Sequence, residues 1–92
     1  MIYTLKTPIE HAGESIAELE LAEPTTKLVR ELGLPFTLTE SGMPQPITKV
    51  CAAYVSKLGK IPPSAVDKLA VSDFTALTWT VVGFFGDSAQ TI

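Results

Sequence analysis

Four features of this 92-residue chain carry side chains capable of chemistry: His11, Cys51, the pair Glu18 and Glu20, and Asp73. A lone imidazole can act as acid, base or metal ligand, but each task needs a partner. No Cys, Asp or Glu around His11 has metal-ligand spacing, so it reads as a solvated turn residue. Cys51 stands on the apolar side of a helical pattern beside Tyr54 and Val55. Burial there raises a thiol's pKa and suppresses the nucleophilic thiolate, leaving a small hydrophobe. Glu18 and Glu20 share the polar face of a strand, and nothing near them would shift a carboxylate toward acid–base work. Asp73 precedes an apolar helical run and reads as an N-cap or first-turn carboxylate that accepts backbone N–H groups.

No GxxxxGK[ST], GxGxxG, GxSxG or HExxH pattern is present. The expectation is therefore a protein that is not an enzyme, with no catalytic residue, no cofactor and no metal site.

The elements that must position these residues come in two groups. Ile2 to Lys6 alternates, with Tyr3 and Leu5 opposed to Ile2, Thr4 and Lys6, and residues 16 to 22 alternate again. Pro8 and Gly13 lie between them, so residues 1–22 read as a β-hairpin with one wet face. Pro24 and Thr25 then open a short helix carrying Leu28, Val29 and Leu32, closed by Gly33 and Pro35. Residues 35–46 contain Gly42, Pro44 and Pro46, the pattern of an irregular and mobile loop with at most a short strand. Ile47, Val50, Cys51, Tyr54, Val55 and Leu58 follow helical spacing, and Gly59 is placed to end that helix. Pro62-Pro63 breaks the chain, and Ser64 with Asp67 resembles a capping box ahead of Val66, Leu69 and Ala70. A last helix spans about Phe74 to Phe85, and residues 87–92 read as a frayed polar tail. The fold class is α+β in a single domain, 1–92: an N-terminal β-hairpin followed, over 23–86, by a small bundle of three to four short helices.

Composition narrows the partners. The net charge is −3, and the basic residues are scattered rather than striped, so nucleic acid is not the main partner. One cysteine excludes an internal disulfide and suits a reducing compartment. The longest apolar run is too short for the roughly 20 residues of a membrane span, so no membrane is expected. Charged residues make up 18%, below the usual roughly one quarter, which favours a surface used in contact with other chains.

The last helix is apolar on two sides. Phe74, Leu77, Val81 and Phe84 form one stripe, suited to docking on Val50, Tyr54 and Leu58. Trp79 and Val82 form another, with Phe85 between the two. A helix that packs on its own core needs one such face, so Trp79, Val82 and Phe85 are the candidate partner-binding residues.

Three sets of residues together carry a family resemblance: Pro8 with Gly13 in the first turn; Leu21, Glu23, Pro24 and Thr25 opening a helix; and Leu69, Asp73, Phe74, Leu77, Val81, Phe84 and Phe85 near the end. This arrangement resembles the small tail assembly chaperones of Mu-like and P2-like long-tailed phages. The resemblance covers about half the chain, and the segment "LPFTLTESGMPQP" departs from it. It implies binding of the long, mostly helical tape measure protein, which is kept soluble in the host cytoplasm until tail tube subunits polymerise around it. It also implies a homo-oligomer and possible contact with the tail tube protein. A second product is implied too, made by a −1 ribosomal frameshift that a run of T under Phe84-Phe85-Gly86 would permit. The competing expectation is a structural or adaptor component of the tail, such as a completion or neck protein.

Overall fold

The structure is a computed structural model that describes residues 1–90, with side-chain surroundings described through residue 85. Its elements run β1 (Ile2–His11), β2 (Glu14–Glu20), α1 (Thr26–Leu32), β3 (Phe36–Leu38), β4 (Pro44–Pro46), α2 (Thr48–Gly59), α3 (Pro63–Val66) and α4 (Val71–Gln90). This is the expected α+β architecture, an N-terminal antiparallel hairpin followed by four helices, with a small second sheet added. The tail expected over 87–92 falls where side chains are not described, and residues 91 and 92 lie outside the described residues.

β1 is longer than its alternation suggested. It runs past Lys6 to His11, and a two-residue turn, Ala12-Gly13, joins it to β2 with both φ angles positive (54° and 81°). Such turns match the right-handed twist of the strands they join. His11 is therefore the last strand residue, paired with Glu14 and half-buried, and not a solvated turn residue. Near the middle the register jumps: Thr4 pairs Glu18, but Ile9 pairs Ile16, so residues 5–8 lie opposite Ala17 alone. Pro8, which has no N–H to offer a ladder, sits inside this bulge. Leu5, within the shifted stretch, and Ile9, just after it, both reach the core, in one cluster with Leu19 of β2 and Leu21.

The helices close over that apolar face. Thr25 caps α1, its Oγ1 accepting the Leu28 N–H at 3.2 Å. α2 buries Cys51, Tyr54, Val55 and Leu58, and packs against α4 through Leu77 and Val81. Gly59 is the last residue of α2 and does not supply its left-handed cap, a role taken by Lys60 (φ 56°, ψ 42°). A Cβ at Gly59 would lie 3.4 Å from Leu21 Cδ2 of the hairpin segment, an ordinary contact distance, so α2 ends close against the hairpin. α3 starts at Pro63 behind Pro62 with no side-chain cap, so the Ser64–Asp67 capping box does not form. Proline at the first helical position supplies the needed φ and lacks only an N–H that would have no helical partner.

Residues 35–46 form a second hairpin rather than an irregular loop. Phe36, Thr37 and Leu38 pair with Pro46, Gln45 and Pro44. Thr39 closes the tip: its N–H donates to the Met43 carbonyl at 2.9 Å, and its Oγ1 accepts the Met43 N–H at 3.1 Å. Gly42 takes φ 84° there. Edge strands tolerate proline because their outer N–H groups face no ladder.

Candidate protein-interaction surface

α4 carries the candidate residues, and its position is set by a carboxylate. Asp73 is fully buried in the first turn of α4, yet its oxygens do not cap that helix. Oδ1 accepts the Lys6 backbone N–H and the Tyr3 hydroxyl, each at 3.0 Å, and Oδ2 accepts the Thr7 N–H at 3.0 Å. The β1 bulge takes Lys6 and Thr7 out of register with β2, and Asp73 supplies their acceptor. The expectation of a cap is thus corrected: the carboxylate joins helix to hairpin. Hydrogen bonds from Lys6, and then from Thr7 and Tyr3, hold its pKa below the usual carboxylate range, outweighing the opposing effect of burial. Burial, with the neighbouring Asp73 hydrogen bond and charge, pushes the Tyr3 phenol up, so it remains a donor.

The far part of α4 is fixed by aromatic contacts. The Phe85 ring lies 5.7 Å from Tyr54 and 6.1 Å from Phe36 of β3, both edge to face. Tyr54 donates to the Gly33 carbonyl at 2.6 Å, tying α2 to the end of α1. Cys51 is buried beside it, its thiol directed at the Pro35 carbonyl 3.4 Å away. Burial pushes that thiol up, against a backbone contact at Ile47 that acts in the opposite direction. It is a core group, as its place on the helix implied.

The three candidate residues separate. Val82 is buried, and Phe85 is half-buried under the β3–β4 hairpin. Trp79 alone stands out, 51% exposed. Its exposed neighbours along α4 are Val71, Thr75 and Gly83, at four-residue steps. No Asp, Glu, Lys or Arg occurs from residue 74 to 86, so this outer face has no charge for three turns. Solvent-facing helix surfaces ordinarily carry charged and polar residues. The apolar spacing predicts a helix from Phe74, whereas α4 starts at Val71 and so adds that residue to the face. A second exposed apolar group, Leu34, Leu38 and Met43, surrounds the second hairpin. Leu38 and Met43 belong to the 35–46 segment, where the sequence pattern predicts a loop and no ordered face.

Glu18 and Glu20 are both exposed on β2. Among the described residues no cluster of three or more His, Cys, Asp or Glu could hold a metal ion. Among the same residues no helix is long and apolar enough to cross a membrane.

The sequence model of one protein family, described as phage tail assembly chaperone proteins, E, or 41 or 14, matches residues 2–86. The chain belongs to that family. No curated protein and no solved structure matches it. Membership of this tail assembly chaperone family implies a non-catalytic role and protein partners during tail assembly. The match spans the hairpin, all four helices up to residue 86 and the second hairpin, so the divergent segment 34–46 lies inside the family's own domain.

Proposed function

We propose that this chaperone binds the tape measure protein of its phage and keeps it soluble in the host cytoplasm until the tail tube assembles around it. The observation that carries this reading is Trp79, half in water on a charge-free helix face of a family member whose work is assembly. A tape measure protein presents long apolar helical stripes, and an uncharged aromatic-bearing face covers such stripes by helix-to-helix contact. Self-association through the same face, and passing contact with the tail tube protein, fit a surface that must be covered before and after the client arrives.

Co-expression tests the reading. The cognate tape measure protein is produced alone, with the chaperone, and with a Trp79→Glu variant, and its soluble fraction is measured. Solubility should rise with the wild type and return to the level of the client alone with the variant. Equal solubility in all three refutes the proposal. Recovery of the protein in finished tails would instead mark a completion or neck component. The gene bears on the longer product: a T-run under Phe84-Phe85-Gly86 supports a −1 shift, and mixed Phe codons with no other slippery run nearby remove it.

A further inference from the structure

A groove of about 260 Å³ runs between α2 and α3, with Lys49, Ala52, Ala53 and Lys57 on one side and Val66 and Asp67 on the other. A second hollow of about 220 Å³ shares Ala52, Val66 and Asp67 and extends the path to Leu69, Val71 and Phe74. Val71 is also the first residue of the exposed α4 face that bears Trp79, so groove and face meet. The floor is small: Ala52 and Ala53 allow another backbone to approach α2 near the short end of the 8–10 Å helix-packing range. The rim is charged asymmetrically. Lys49 and Lys57 are exposed and eight residues apart on α2, about 12 Å along its axis, while Asp67 stands on the opposite wall.

We propose that this groove seats one amphipathic helix of the client, carrying carboxylates seven or eight residues apart along the edge that meets Lys49 and Lys57. The inference rests on the reading of the protein as a chaperone for a helical client. Between those carboxylates, apolar side chains at three- and four-residue steps lie over Ala52, Ala53 and Val66. A basic residue on the helix's other edge meets Asp67. Charge here sets orientation and choice of partner, and the apolar floor supplies the contact.

Two synthetic 18-residue amphipathic peptides test it, with the same leucine stripe and either Glu or Lys at two edge positions seven apart. Binding to the full chain is read by fluorescence anisotropy. The acid-edged peptide should bind about tenfold more tightly, the size that two rim ion pairs supply. Lys49→Glu with Lys57→Glu should reverse the preference, whereas the charge-matched pair Lys27→Glu with Arg30→Glu should keep it. Ala53→Trp should fill the groove and weaken both peptides. No binding, equal binding, or reversal by the control pair overturns the inference, as does a double variant that alters only self-association. The tape measure protein is read separately. If the groove variants still solubilise it and Trp79→Glu does not, the groove fails and the proposed function stands. If the wild type does not solubilise it, the function fails whatever the peptides show.

Discussion

Replacing Trp79 by alanine separates a surface role from a core role, because the residue is divided almost evenly between the two. A tryptophan side chain presents about 200 Å², and 51% of it is exposed in the folded chain. Roughly 100 Å² is thus available to a partner, worth about 2.5 kcal/mol at ~25 cal/mol per Å², or about 70-fold in Kd. The other half packs on the chaperone itself, so the variant also loses up to about 2.5 kcal/mol of stability, an upper bound from area. A chain of this length holds roughly 5–14 kcal/mol, so it stays folded. Leu77, two residues earlier on α4 and fully buried, is the control. Leu77→Ala should cost about 2–5 kcal/mol of stability by leaving a cavity, with client affinity unchanged at temperatures where it is folded. Calorimetry or denaturant melts give the stabilities, and titration of the tape measure protein or a captured fragment gives the affinities. If Trp79→Ala binds like the wild type, or if both variants lose binding only in proportion to unfolding, the exposed face has no part in recognition.

The Asp73 carboxylate is ionised in the folded chain at a lower pH than in the unfolded chain. Its contribution is therefore complete above about pH 4 and fades as pH falls through the depressed folded value. Asp73→Asn should lower the melting temperature at pH 7, with the gap to the wild type narrowing by pH 3; a gap independent of pH would show that charge is not involved. Gly33 sits at φ 83°, ψ −180°, a conformation essentially confined to glycine. Gly33→Ala should cost about 1–3 kcal/mol in urea melts, and no loss would mean the loop relaxes freely. A thiol reagent should modify Cys51 only after denaturant is added, since the thiol is buried and its pKa raised. Prompt, complete labelling of the native protein would contradict that burial.

Periodicity made the main elements readable. Alternation at residues 2–6 and 16–22, and the spacing from Ile47 to Leu58, mark the first hairpin and α2 in the sequence, because each buries one face. Position-specific tertiary demands were not readable. Gly59 has the residue type of a helix stop, yet the left-handed cap is taken by Lys60, a choice that local sequence does not show. Asp73 looked like a cap because local sequence cannot show the unpaired N–H groups of a bulge in β1. The breakers of segment 35–46 predict an irregular loop with at most a short strand, whereas its prolines occupy strand edges in a hairpin closed by Thr39. That hairpin covers Phe85, and so only Trp79 of the three candidate residues remains prominently in solvent.

The contacts between Asp73 and residues 3, 6 and 7 also order events on the ribosome. The segment that receives the latch is synthesised first, and the carboxylate that secures it arrives 66 to 70 residues later. Until then the nascent hairpin lacks its acceptor and the core lacks Leu77 and Val81. A truncated translation product ending before α4 would have neither latch nor tryptophan. Synthesis of α4 thus brings the latch and the exposed tryptophan into being together.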